Sequence, residues 1–167
     1  MFLKNYTSEV PTSQTVYRIE QVLIKCGAAG ISKEYASTAG EIAAVSFAIE
    51  TPNGKVNIRL PVDVERALDA LWLDYVDSDK LTPDGKALHW NTRKKKKRAD
   101  FQDQAARTAW KIVQDWVEVQ MSMIQLKQAE TLQVFLPYVI TSTGETMFKR
   151  LTNNGGNFAG LLPERCE

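Results

Sequence analysis

Groups that most often carry out chemistry are scarce in this sequence. Its 167 residues hold one histidine, His89, and two cysteines, Cys26 and Cys166. One imidazole and two thiols far apart in the chain cannot supply the usual nitrogen and sulfur ligands of a zinc site, and they form no CxxC pair, so no metal centre is expected. A reduced, intracellular setting is the simplest reading of such cysteine usage. No nucleophile motif surrounds His89, and the neighbouring Asp79 and Asp84 fall in a Pro- and Gly-containing stretch, so no catalytic residue is expected. Gly27-Ala28-Ala29-Gly30 follows a helical pattern and precedes a strand pattern, the reverse of a dinucleotide cradle, and no cofactor is implied. No run approaches the roughly 20 apolar residues that span a bilayer, and Met1–Tyr6 lacks the apolar core of a signal peptide. The expectation is a cytoplasmic protein without a membrane partner.

Net charge is almost absent too. Lys and Arg number 21 against 20 Asp and Glu, a balance of +1 that excludes a domain basic over its whole surface. Positive charge is local instead. Arg93, Lys94, Lys95, Lys96, Lys97 and Arg98 form an unbroken run, preceded by His89 and Trp90 and followed by Phe101. Such a run points to phosphates, with Trp90 or His89 stacking on a base or sugar, and to contact of low sequence specificity because nothing nearby reads base edges. The bland alternative is a solvated loop.

Directly after the run comes the clearest folding signal, a helix over 100–127. Ala105, Ala109, Ile112, Trp116, Val119, Met123 and Leu126 recur at steps of four and three, and Ala106, Trp110, Val113, Val117, Met121 and Ile124 form a second stripe beside them. So wide an apolar face needs cover on two sides. Core packing is the first reading of this face; the alternative makes Trp110, Val113, Val117, Met121 and Ile124 the surface for a partner or for a second copy in a homo-oligomer.

Elsewhere the punctuation is regular. Pro11 precedes a helix with Thr12 or Ser13 as its cap and Val16, Ile19, Leu23 and Cys26 on one face, which stops at Gly27. Period-two patterns follow at Ile31–Tyr35, Glu41–Glu50 and Val56–Leu60, the last two joined by a turn at Thr51-Pro52-Asn53-Gly54. Pro61 ends the third strand, and Asp63 caps a helix carrying Val64, Leu68, Leu71, Trp72 and Tyr75. Residues 78–99 read as a long connection containing the basic run. Beyond the long helix, Ala129–Leu136 read as a short helix broken at Pro137. Tyr138–Thr141 and Thr146–Phe148 read as a small hairpin, and 152–167 as an irregular tail. The fold class is α+β: a three-stranded antiparallel meander covered by helices in one domain over 1–151, its 44% apolar content filling one core.

Gly27-Ala28, the stretch Ser46-Phe47-Ala48-Ile49-Glu50-Thr51-Pro52-Asn53-Gly54, Leu60-Pro61, Ala105–Ile112, Asp115-Trp116-Val117-Glu118 and Phe135-Leu136-Pro137-Tyr138 together resemble a group of small proteins encoded by bacteriophages and prophages. The likeness spans roughly residues 15 to 140 and implies a bacterial host cell; it carries over no catalytic residues. In that setting two jobs fit: handling nucleic acid, or disabling a host defence by binding a protein or sequestering a signalling nucleotide.

Overall fold

The computed structural model describes residues 3–36, 40–52, 54–80 and 96–153. Its elements run α1 (Thr12–Lys25), β1 (Gly30–Tyr35), β2 (Ile42–Thr51), β3 (Gly54–Arg59), α2 (Val64–Lys80), a 3-10 turn (Arg98–Phe101), α3 (Gln102–Gln125), α4 (Thr131–Phe135), a second 3-10 turn (Leu136–Tyr138) and α5 (Met147–Asn153). The three strands form one antiparallel sheet in the order β1-β2-β3, so the chain is an α+β protein with one long helix. It divides into two compact units, one made of Met1–Val22 and Pro61–Val119, the other of Leu23–Leu60 and Gln120–Glu167.

In the first unit, β3 having ended before Pro61, Asp63 Oδ1 accepts the Arg66 N–H at 2.9 Å and caps α2 as its position in the sequence predicts. Helix α1 begins at Thr12, and the Thr15 N–H bonds to the Pro11 carbonyl, which puts Pro11 rather than Thr12 in the capping place. Leu68, Leu71 and Ala105 form a buried cluster, with Leu3, Val64, Ala67 and Phe101 packed around it. The N-terminal segment is tied to α3 by polar contacts. Gln104 Nε2 donates to the Tyr6 carbonyl at 2.6 Å, Arg107 Nε to the Ser8 carbonyl at 3.1 Å, and Asn5 Nδ2 to Asp115 Oδ2 at 3.0 Å. Asp115 also meets Lys4 at 2.8 Å and Lys111 at 3.2 Å. Burial resists its ionisation, but hydrogen bonds from Lys4, Asn5 and Lys111 outweigh that and hold the carboxyl at about 2.

On α3 the buried row is Ala105, Ala109, Val113, Val117 and Met121, at steps of four, flanked by Thr108, Trp110 and Gln114. This corrects the expected interface. Trp110, Val113, Val117 and Met121 are between 0% and 5% exposed and Ile124 is half-buried, so that stripe is interior in a single chain. The apolar residues that do face outward, Val119 and Leu126, belong to the other expected stripe.

In the second unit, Phe47 of β2 lies between Ile31 of β1 and Ile58 of β3, and the Phe135 ring of α4 meets it edge-on at 5.3 Å. On the opposite face of β2, Ala44, Ser46 and Ala48 are small and buried. Glu34 stands opposite Ala44 and Arg59 opposite Ser46, and their side chains join at 2.9 Å across β2. Small residues leave room for that reach.

The hairpin expected over Tyr138–Phe148 forms in a minimal version, the Thr141 N–H donating to the Glu145 carbonyl and the Met147 N–H to the Val139 carbonyl, both at 2.8 Å. Its first arm also pairs outward: Val139 makes a single bridge to Ile58, and the Ile140 N–H donates to the Asn57 carbonyl at 2.8 Å, which places it on the free side of β3. Ile140 and Thr146 make one further bridge. The Thr146 hydroxyl then accepts the Lys149 N–H at 3.3 Å, which opens α5 where the second strand was expected. Helix α5 runs to Asn153, past the expected start of the tail at Thr152, and 154–167 lie outside the described residues.

Candidate functional site

Of the expected nucleic-acid contacts, His89, Trp90, Arg93, Lys94 and Lys95 lie outside the described residues, while Lys96, Lys97 and Arg98 lie within them. These three are not equivalent. Helix α2 carries Glu65, Asp69 and Trp72 at steps of four and three along the edge of its buried row, and Tyr75 one step beyond. The segment entering α3 is laid against that edge.

Arg98 takes the acidic end. Its Nη2 is 2.6 Å from Asp69 Oδ1 and 3.0 Å from Glu65 Oε2, with Nε at 3.1 Å from the same Asp69 oxygen. Hydrogen bonds that the guanidinium donates to Asp69 and Glu65 raise its pKa further, so its charge is fixed and answered. Lys96 takes the aromatic end. Its N–H donates to the Tyr75 hydroxyl at 3.3 Å, and its ammonium sits 5.2 Å from the centre of the Phe101 ring. Between them, the Lys97 N–H is accepted by Asp100 Oδ2 at 2.7 Å, closing the first turn of the 3-10 segment. Both Lys96 and Lys97 are exposed, and neither ammonium has a carboxylate partner among the described residues.

Under Lys96 the rings form a cluster. Trp72 and Tyr75 stack at 5.7 Å with planes 29° apart, Phe101 meets Trp72 edge-on at 6.2 Å, and Phe101 lies tilted on Tyr75 at 5.3 Å. All three are half-buried. Spacing in the sequence puts Trp72 and Tyr75 on the core face of their helix and leaves the stacking role to Trp90 and His89. The signal for this cluster is the placing of Phe101 at the exit of the cation run, with two aromatics one helical turn apart on the preceding helix.

Among the described residues of the second unit, open grooves of about 590 and 540 Å³ share Glu130 and Thr131. Charged residues lining the larger one are Glu50 and Glu130, a lining that repels rather than holds a nucleotide's phosphates. Cys26 on its wall, a free thiol, receives a hydrogen bond from Gln125 Nε2 at 3.6 Å. Among the described residues no group of His, Cys, Asp and Glu is arranged to hold a metal ion, and no helix is long and apolar enough to cross a membrane. No protein-family model matches the chain, and no curated protein and no solved structure shows significant similarity to it.

Proposed function

We propose that the chain is a non-enzymatic accessory protein of a phage or prophage that contacts nucleic acid through Arg93–Lys97, mainly at phosphates and with low sequence specificity. The observation that carries this reading is the division of labour at the end of the run. Arg98 is engaged by Glu65 and Asp69, and it anchors the segment, while Lys96 and Lys97 stay without a carboxylate beside an aromatic cluster. A run that served only solubility would need no such anchoring. Ammonium groups that have no carboxylate partner among the described residues release counterions when they meet phosphates, which is the main source of nonspecific affinity.

The reading as an oligomeric anti-defence protein is weaker on two counts. Its expected interface is interior, and the larger groove carries carboxylates where a signalling nucleotide needs cations.

Fluorescence anisotropy with a labelled oligonucleotide at several salt concentrations tests the proposal. Affinity should fall steeply with salt, and replacing Lys94–Lys97 with alanine should lower the log–log slope by about one for each phosphate that is no longer neutralised. Unchanged binding in that variant at low salt would sink the assignment to this run.

A further inference from the structure

We infer that Trp72, Tyr75, Phe101 and Lys96 form a stacking site for unpaired bases, which makes single-stranded nucleic acid the preferred ligand over duplex. This rests on the nucleic-acid reading above and adds the form of the ligand to it.

Two independent features meet at one corner. The first is the ring cluster, in which Trp72 and Tyr75 lie nearly parallel and Phe101 braces both. Core aromatics of this chain are closed off, with Trp110 and Phe135 at 0% exposure and Phe47 at 2%, whereas these three rings are each half-buried and keep surface in solvent. The second is charge. Lys96 is placed over the Phe101 ring with its main chain on the Tyr75 hydroxyl, and Lys97 follows it, exposed. Glu65 and Asp69, on the same edge of α2, share the single positive charge of Arg98, which offsets one of their two negative charges and leaves the cations nearer the rings to meet phosphate.

An aromatic face beside backbone-binding cations is the arrangement that holds single strands, since every base offers a π-face irrespective of sequence. In a duplex those faces are already covered by neighbouring pairs, and exposing one costs unstacking. Phosphate contact alone would favour the duplex, whose charge density is higher. The rings reverse that preference.

The test uses the full chain and labelled oligonucleotides of about 20 residues, a length covering one or two such sites. Three ligands are compared at low salt by anisotropy: a single strand, the blunt duplex of the same sequence, and a strand with abasic positions at its centre. The expected result is binding to the single strand about tenfold tighter than to either of the others. Trp72→Leu should weaken single-strand binding about tenfold at an unchanged salt slope, and Trp72→Phe, which keeps a ring, should recover most of it. Equal affinity for all three ligands, with a steep salt slope intact, overturns the stacking site and leaves the phosphate reading standing. No binding to any of them overturns both. Should Trp72→Leu unfold, the abasic comparison decides the matter on the unmodified protein.

Discussion

Arg98 sets a guanidinium nitrogen 2.6 Å from a carboxylate oxygen of Asp69, which lies 29 residues earlier in the chain. Together with Glu65 at 3.0 Å, this contact removes one of the run's cations from the pool available to a ligand. A cation run is therefore not one charge repeated; its members differ by what stands opposite them. Arg98→Ala should leave the salt slope of nucleic-acid binding unchanged. A Glu65→Gln/Asp69→Asn double variant frees Arg98 and should steepen the slope by about one. Anisotropy titrations at matched salt concentrations read both, and a shallower slope in Arg98→Ala would show that Arg98 itself meets phosphate.

Asp115 gives a second prediction, of stability. Its carboxyl sits at about 2, below the usual 3.8, because Lys4, Asn5 and Lys111 favour the ionised form against the cost of burial. A lowered carboxyl contributes stability that is complete above the unfolded value and disappears as pH falls through the folded one. Asp115→Asn should cost about 1–2 kcal/mol at neutral pH, most of it from breaking the tie between the N-terminal segment and α3. Urea melts should show that difference constant down to about pH 5 and shrinking between about pH 4 and pH 2. A difference that persists at pH 2 would assign the effect to shape and not to charge.

What the sequence made legible was what acts locally. Asp63 caps α2, Gly27 stops α1, and Pro52 with Gly54 turns β2 into β3, each through groups within a few residues. What it hid depends on distant partners. Tyr138–Thr141 forms the expected local pairing with Glu145–Met147 in one bridge only, and its added bonds to Asn57 and Ile58 of β3 come from far upstream, where no local pattern points. Thr108 and Gln114 are buried on α3 although polar, because Asn5, Lys111 and Glu118 satisfy them; a reading that follows apolar spacing cannot include them. The candidate site divides in the same way. Its cations and Phe101 were visible in a row, whereas the carboxylates that pair Arg98 and the rings of Trp72 and Tyr75 come from the upstream helix α2.

The contact between Phe47 and Phe135 predicts where the second unit is most sensitive. Phe135 is wholly buried on a helix of five residues, too short to persist without tertiary packing, and it meets Phe47 of the sheet edge-on. Phe135→Ala should cost about 3–5 kcal/mol in chemical denaturation, and Phe135→Leu less than half of that. Hydrogen exchange in the Phe135→Ala variant should rise first over Thr131–Tyr138.

Helices α1 and α3 end in the same hydrogen-bond pattern with different residues at the key place. After α1, the Gly27 N–H bonds to the Ile24 carbonyl and the Ala28 N–H to the Leu23 carbonyl; after α3, Lys127 bonds to Ile124 and Gln128 to Met123 in the same way. Both central residues have positive φ, 85° at Gly27 and 55° at Lys127. Only glycine adopts that conformation without its side chain crowding the backbone. Nothing lies within 4 Å of where a Cβ on Gly27 would point, so the penalty of a side chain there is backbone conformation alone. Gly27→Ala should therefore destabilise by about 1 kcal/mol and Lys127→Gly stabilise by a smaller amount, about 0.5 kcal/mol, because glycine also gains freedom in the unfolded chain. The two shifts have opposite sign for one geometric reason, and thermal melts of the two variants measure it. Equal signs would mean that one of the two helix ends is held by something other than its left-handed cap.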